Sequence, residues 1–144
     1  YISNGSYEGT VKEIGLFYTT VITVDNRKVF IPNGSLTGST LVNVNCEKTR
    51  RLDMQFKVAY DTDIKKLRAI LTKVLSADGR VLTDPAAKVI VAEYGDSSVT
   101  VEVRMWTNTE NYWDLKFEMQ EMIKSVFDVS EIVIPYNQLD VHMK

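Results

Sequence analysis

Few side chains of this sequence could carry out chemistry, and their spacing does not bring them together. Cys46 is the single cysteine and His142 the single histidine, whereas a nucleophile–base pair needs a thiol or hydroxyl beside a positioned base. They fall in different predicted lobes, so we interpret Cys46 as a small strand-end residue and His142 as a surface or interface residue. A metal site would then need carboxylates, and no spacing favours one. We therefore predict no catalytic residue, no metal ligand, no cofactor and no enzymatic activity.

Three other groups could bind an ion or a ligand, and each has a structural interpretation. Asp61 and Asp63 precede a helical pattern, where carboxylates cap a helix and favour its first turn. Arg50-Arg51 could hold an anion, but a solvated linker is the default. Gly95-Asp96-Ser97-Ser98 is typical of a tight turn. A ligand-binding loop there would need a second supporting element, which the sequence does not show.

The bulk composition is that of a globular protein. The 144 residues suffice for one ordinary domain or two small ones, and 44% are hydrophobic and 25% charged. The net charge of −2 and the pI of about 5.4 argue against nucleic-acid binding, which usually employs a basic face. No segment approaches the roughly 20 apolar residues of a membrane span. The chain opens with Tyr1 rather than Met, which we interpret as the start of an excised fragment.

Residues 1–47 predict a small β domain. A strand-forming run from Thr19 to Val24 leads to a turn at Asp25-Asn26 and a return strand from Lys28 to Ile31. Leu41 to Asn45 alternates apolar with polar residues, as a half-buried strand does. Scattered glycines suit a sharply bent sheet of short strands.

After a charged break at 47–51, residues 48–138 predict an α+β domain. The helices show apolar residues at helical spacing, and on the second helix these are Tyr112, Leu115, Met119, Met122, Ile123 and Val126. The predicted elements are a strand at 52–58, a helix at 64–75, strands at 88–92 and 99–106, a helix at 111–127 and a strand at 132–134. This order is that of a ferredoxin-like split βαβ unit.

Several short motifs follow one another in a characteristic order along the chain. They are Gly9-Thr10-Val11, Ile31-Pro32-Asn33-Gly34, Arg50-Arg51, Val58-Ala59-Tyr60-Asp61, Gly95-Asp96-Ser97-Ser98, Tyr112-Trp113-Asp114-Leu115 and Ile134-Pro135-Tyr136. In this order the chain resembles the soluble cytoplasmic domain of the small-conductance mechanosensitive ion channel (MscS) family, over essentially its whole length. The resemblance implies an Sm-like β domain followed by a ferredoxin-like domain.

The resemblance also implies a function. In that family these segments form a homoheptameric cage, or vestibule, on the cytoplasmic side of the bacterial inner membrane. The channel opens under membrane tension and releases ions and small solutes during osmotic downshock. The expected partners are therefore other copies of the chain, the membrane through missing N-terminal transmembrane helices, and permeating solutes, with no nucleic acid among them.

Site residues follow from the same resemblance. Asp53 matches an acidic position beside the side portals of the cage. Asn33 and Gly34, which alone predict a tight turn because both tolerate the left-handed backbone region, match the loop that couples the β domain to the pore-lining helix. The segment 139–144 matches the start of a C-terminal barrel strand, so Leu139, Asp140 and Val141 are expected at a subunit interface.

Some features depart from the family pattern or permit another function. Ser130-Glu131 stands where the family usually has Gly after the second helix, and Asn137 where many members have a second proline. The alternative function is an RNA- or small-ligand-binding module, since both folds host such roles. The acidic pI opposes RNA binding, and the missing nucleophile–base pair opposes a small hydrolase.

Overall fold

A computed structural model of the chain describes residues 1–143, which divide into two units between Lys48 and Thr49. Each unit has its own antiparallel sheet. Of the segment 139–144, for which a barrel strand is predicted, Lys144 lies outside the described residues.

The first unit is a five-stranded sheet in the order β4-β3-β2-β1-β5. Its buried side chains include Val21 and Ile31. The predicted β-hairpin is confirmed, with Asn26 in the left-handed region at φ 64°. Gly9 lies so close to β3 that a Cβ atom there would stand 2.3 Å from the carbonyl oxygen of Ile22. The elements are β1 (Ile2–Ser3), β2 (Glu8–Ile14), β3 (Tyr18–Ile22), β4 (Lys28–Pro32), α1 (Asn33–Thr37) and β5 (Val42–Asn43).

Two predictions for the first unit need correction. The predicted tight turn at Asn33-Gly34 is instead the start of α1, and neither residue has a positive φ. The Asn33 side chain donates hydrogen bonds to the carbonyl groups of Gly15 and Leu16. Its amide is therefore engaged with a distant segment and makes no contribution to a left-handed turn. The strand predicted from Leu41 to Asn45 is only two residues long, because β1, its partner, is equally short.

The second unit is a three-stranded sheet in the order β6-β8-β7, with β8 in the centre. The pairing of β6 with β8 runs without interruption from Thr49↔Asn108 to Val58↔Val99. One hydrophobic core joins the sheet to both helices. The elements are β6 (Thr49–Val58), α2 (Ile64–Ala77), β7 (Lys88–Tyr94), β8 (Val99–Asn108), a 3-10 turn (Thr109–Asn111) and α3 (Tyr112–Val129).

Helix α2 begins where its sequence predicts. The side chain of Asp63 accepts hydrogen bonds from the backbone N–H groups of Lys65 and Lys66, at 3.0 and 3.3 Å. These bonds satisfy donors that have no partner within the helix. Four-residue spacing then places Leu67, Leu71 and Leu75 in the core.

A charged network closes the other end of α2. Arg80 pairs with Asp78 at 2.8 Å and with Glu118 of α3 at 2.7 Å. The Asp78 side chain is only 8% exposed, and it also accepts a hydrogen bond from the backbone N–H of Arg80 at 3.0 Å. Because Arg80 donates hydrogen bonds to it, the pKa of Asp78 lies below its ordinary value. Arg80 thus joins the end of α2 to α3.

Helix α3 buries a slightly different stripe from the predicted one. Its buried residues are Leu115, Met119, Ile123 and Phe127. The prediction places Met122 in the stripe, but it is 40% exposed, because the buried residues follow one another in steps of four and Met122 lies about 100° around the helix from Ile123. Phe127 packs edge-to-face against Phe56 of β6, with ring centroids 5.8 Å apart.

The predicted last strand at Ile132–Ile134 is wrong. The backbone N–H of Ala59 donates to the carbonyl of Val133 at 3.1 Å, and no strand is assigned within 130–143. Pro135 has no N–H, so it cannot extend a ladder. The fourth strand of a ferredoxin-like sheet is therefore not formed in the described chain.

Candidate functional site

Asn33 links the start of α1 to the loop between β2 and β3 by hydrogen bonds. Its Nδ2 donates to the carbonyl oxygens of Gly15 and Leu16, at 2.9 and 3.1 Å. Its Oδ1 accepts a hydrogen bond from the Thr19 hydroxyl at 2.7 Å, and its backbone N–H donates to the Phe17 carbonyl at 2.8 Å. Every polar group of the Asn33 amide side chain is thus engaged within the unit. Asn33 sets the shape of this corner rather than presenting its amide to a partner.

The corner presents an exposed apolar surface. Ile14, Leu16 and Phe17 are 75%, 86% and 73% exposed. Monomeric soluble proteins rarely leave such side chains clustered in solvent, so a cluster of this kind indicates a contact surface. Gly34 beside it has no heavy atom within 4 Å of an added Cβ position. The Asn33–Gly34 corner therefore offers apolar contact area and open space for close approach.

Asp53, the predicted portal residue, lies on the outer face of the second sheet and is paired. Both of its carboxylate oxygens accept hydrogen bonds from Arg51, at 2.7 Å from Nε and 2.8 Å from Nη2. Residues two apart on a strand share a face, which brings the two side chains together. The charge of Asp53 is balanced by Arg51, two residues earlier, and its place beside a portal stays a prediction.

The same face carries a second pair of this kind. Arg104 lies opposite Asp53 on β8 and bonds to Glu102 through Nε at 2.9 Å. The hydrogen bond to Glu102, and to a smaller degree the nearby charge of Asp53, raises the pKa of Arg104. The outer face of the sheet is therefore a lattice of alternating charges rather than a surface of one sign.

The C-terminal segment alternates along its length. Leu139, Val141 and Met143 are 87%, 68% and 93% exposed, and Asp140 and His142 stand between them. The Nε2 atom of His142 lies 3.5 Å from Oδ2 of Asp140. This period of two is typical of a strand with one apolar face, although residues 139–143 pair with no strand of the described chain. The barrel strand stays a prediction.

An aromatic cluster at the start of α3 was missed by the sequence interpretation, which treated Arg50 as part of a solvated linker. Arg50 instead lies in β6, and its guanidinium carbon is 3.6 Å from the ring centroid of Tyr112. Trp113 stacks on Phe117 and both side chains are about half exposed. Apolar and polar residues alternate along β6 from Leu52 onward. If the strand had been extended two residues toward the N-terminus, Arg50 would have been predicted to belong to it.

The two residues considered for chemistry, Cys46 and His142, fall in different units. Cys46 is exposed and lies after β5, not within a strand, while His142 lies in the exposed C-terminal segment of the other unit. Within residues 1–143, no group of three or more His, Cys, Asp or Glu side chains could hold a metal ion.

Comparison with known proteins agrees with this arrangement. Residues 1–46 match the mechanosensitive ion channel β-domain family, and residues 52–134 match the family of the C-terminal domain of the mechanosensitive ion channel MscS. The small-conductance mechanosensitive channel of Edwardsiella ictaluri is 37% identical over 96% of this chain and 49% of its own length. An uncharacterised MscS family protein of Synechocystis is 39% identical over 94% of this chain and 46% of its own length.

A solved structure extends the similarity to three dimensions. The closed-state crystal structure of Helicobacter pylori MscS superposes with a TM-score of 0.93 at 27% identity, covering 99% of this chain and 57% of that one. The fold and the two consecutive domain matches define a domain of a mechanosensitive channel. The chain belongs to the MscS family of mechanosensitive ion channels.

The chain spans about half the length of the curated relatives named above. The helices within residues 1–143 lack the combination of length and apolar character that crossing a bilayer requires. The E. ictaluri relative is named as a mechanosensitive channel, and the H. pylori structure is that of MscS.

Proposed function

We propose that the chain forms the cytoplasmic cage of a homoheptameric channel in the bacterial inner membrane, which opens under membrane tension and releases ions and small solutes during osmotic downshock. The observation that carries the proposal is the match of residues 1–46 and 52–134 to consecutive MscS domains, with a TM-score of 0.93 to the H. pylori channel over 99% of the chain. Tension can shift a closed–open equilibrium only if the two states differ in their interaction with the membrane. The membrane contact belongs to the rest of the parent protein, and the cage forms the vestibule.

The two units have the roles of an Sm-like domain and a ferredoxin-like domain in this proposal. The short antiparallel strands of residues 1–48, with a register shift between Val11 and Glu13, support the first. The order β6-α2-β7-β8-α3 supports the second, and the backbone bond from Ala59 to Val133 brings residues 132–134 beside the end of β6, although they form no strand.

The Asn33–Gly34 corner couples the cage to the pore-lining helix. Its support is the exposed apolar surface of Ile14, Leu16 and Phe17, which the Asn33 side chain holds in place. The open space at Gly34 would admit the backbone of a closely packed helix. A helix packed there would feel any change in the shape of the corner.

Asp53 lines a side portal through which solutes enter the cage. Charges at the rim of a pore bias which ions pass. Since Arg51 balances Asp53, the pair sets a nearly neutral rim whose sign depends on both residues.

Leu139, Asp140 and Val141 enter a barrel made by strands of neighbouring subunits. Their apolar–polar alternation and their exposure in the single chain support this assignment. Strands that pair between subunits bury the apolar side and satisfy the backbone groups that one chain leaves open.

The test is a suction-activated patch recording of the full-length parent in cells that lack their own tension-gated channels. Openings that increase with suction would support the channel function. Silence, with the protein shown to be in the membrane, would contradict tension gating and direct attention to ligand binding by the cage.

A further inference from the structure

A cleft of about 260 Å³ lies at the turn between β7 and β8. We call it the turn cleft. Its walls are Lys57 of β6, Glu93 of β7, the turn Gly95–Ser98, and Pro135 with Asn137 of the C-terminal segment. From the sequence, no second element is expected beside this turn to form a ligand site. In the structure, β6 and the C-terminal segment both lie beside it.

The turn cleft is held in shape by hydrogen bonds. The backbone N–H of Gly95 donates to the carbonyl of Ser98 at 2.7 Å, which closes the turn. The hydroxyl of Ser97 accepts from the backbone N–H of Gln138 at 3.0 Å, which ties the C-terminal segment to it. Ser98 and Thr100 line the inner surface and are only 7% and 9% exposed. The cleft thus has a polar floor on fixed backbone.

Charges of opposite sign face each other across this floor. Lys57 and Glu93 are both register partners of Thr100, one on each side of the central strand. Two strand spacings place their Cα atoms roughly 10 Å apart. The ion pairs found within residues 1–143 involve neither of these side chains, nor Asp96 at the turn. The wall therefore offers an ammonium on one side and carboxylates on the other.

We propose that the turn cleft binds a small zwitterion of the amino-acid type. The ligand carboxylate pairs with Lys57, and its ammonium group pairs with Glu93 and Asp96. A solute with one charge would satisfy only one wall of the cleft. Because the side chains of Lys57, Glu93 and Asp96 are exposed to solvent, the expected affinity is weak, on the order of a millimolar dissociation constant. This site contains none of the residues assigned to the portal or to the pore coupling, and it goes beyond the proposed channel function.

The experiment titrates the 15N-labelled 144-residue chain with γ-aminobutyrate and follows backbone amide shifts. Butyrate and butylammonium serve as matched probes, because each keeps one charged end of the zwitterion. We expect γ-aminobutyrate to shift the amides of Gly95, Ser97 and Ser98 in a saturable way. We expect each singly charged probe to bind at least about tenfold more weakly.

Substitutions then assign the two ends of the ligand. Lys57→Met and Glu93→Gln remove one charge each with little change in length, and each should weaken γ-aminobutyrate binding by about tenfold or more. Lys88→Met is the control, since Lys88 is an exposed lysine of β7 that does not line the cleft. Unchanged spectra outside the cleft would verify the fold of each variant.

Two results would overturn the proposal. One is a set of shifts at Gly95–Ser98 that γ-aminobutyrate, butyrate and butylammonium produce equally, or that none produces. The other is an equal loss of affinity in Lys88→Met and Lys57→Met. Neither result depends on tension gating, so failure of this site is distinguishable from failure of the proposed channel function.

Discussion

The two carboxylate oxygens of Asp53 face two nitrogens of Arg51, at 2.7 and 2.8 Å. Such two-point pairs fix orientation as well as charge. Both side chains remain about 40% exposed, at 44% for Arg51 and 38% for Asp53, so the pair contributes little to stability, about 0–1 kcal/mol. Its substitution tests charge at the proposed portal without endangering the fold.

The first prediction concerns ion selectivity in the parent channel. Asp53→Asn leaves the Arg51 charge unbalanced and should shift selectivity toward anions, and Asp53→Lys should shift it further. Arg51→Gln leaves the Asp53 charge unbalanced and should shift it toward cations. Reversal potentials in a salt gradient measure both shifts. The double variant Asp53→Asn/Arg51→Gln is the control and should return close to wild type; unchanged potentials in all variants would contradict the portal assignment.

The second prediction separates stability from coupling at the Asn33–Gly34 corner. Asn33→Ala removes three side-chain hydrogen bonds, which should lower the free energy of unfolding of the first unit by roughly 2 kcal/mol. Hydrogen exchange at the buried Val21 and Ile31 amides reports this unit. In patch recordings of the parent, the same variant should alter inactivation, and unaltered inactivation would contradict the coupling.

Gly34→Ala is the matched variant for that corner. Within the chain, no heavy atom lies within 4 Å of the added methyl group, and Gly34 has no positive φ. Hydrogen exchange at the Val21 amide should therefore be as in wild type. If a pore helix packs against Gly34, the same methyl group should change inactivation. A normal recording from Gly34→Ala would place the pore helix elsewhere.

The third prediction is a pH dependence that arises from Asp78. Hydrogen bonds from Arg80 lower the pKa of Asp78 in the folded state, so the ionised carboxylate stabilises the fold at neutral pH. That contribution is lost as the pH falls through the folded-state pKa, below about 4. Asp78→Asn should cost roughly 1–3 kcal/mol at pH 7, and the difference from wild type should shrink toward pH 3. Urea unfolding followed by tryptophan fluorescence measures this difference in stability, since Trp106 and Trp113 both lie in the second unit. A stability difference that stays constant with pH would contradict the role of ionisation.

The fourth prediction concerns the end of α3. Glu131 follows the helix with φ 57°, in the left-handed region that disfavours residues with a Cβ by roughly 1–2 kcal/mol. Glu131→Gly should therefore stabilise the second unit by about 1 kcal/mol. Ser130→Gly is the control, because Ser130 has φ −90° and gains nothing from glycine. A loss of stability in Glu131→Gly, measured by urea unfolding, would contradict this account.

The fifth prediction tests the proposed barrel. Leu139→Asp and Val141→Asp place charge on the apolar side of the segment, where it would be buried between subunits, and should dissociate the proposed heptamer of the parent protein. Asp140→Asn on the other side of the segment is the control and should leave assembly intact. Light scattering on the detergent-solubilised parent gives the mass, and an unchanged heptamer in both aspartate variants would remove these residues from the interface.

Local sequence signals predicted the elements that depend on neighbouring residues. The Asp63 cap and the leucines that follow it define α2, and Asp25-Asn26 defines the β3–β4 turn. The run Ile132–Ile134 carries the same apolar signal as a strand, but strand formation depends on repeated pairing with distant residues, and only one backbone bond to Ala59 was found there.

The candidate sites show the same division. The pairing of Arg51 with Asp53 follows from their two-residue spacing on a strand and was open to prediction. The partners of Asn33 lie 14 to 18 residues earlier in the chain, and the turn cleft joins residues from three separate segments. Such contacts are set by the folded topology, so no local pattern announces them.

The position of β1 has a consequence for synthesis of the chain. This strand lies between β2 and β5, with Ile2 opposite Gly9 on one side and Asn43 on the other. On the ribosome, β2, β3 and β4 can pair as soon as they emerge, whereas β1 keeps one open edge until Asn43 has left the exit tunnel. The pairing of β1 with β5 has the greatest sequence separation of the strand pairings in the first unit, so we expect it to form last. Until it forms, a neighbouring nascent chain could pair with the open edge.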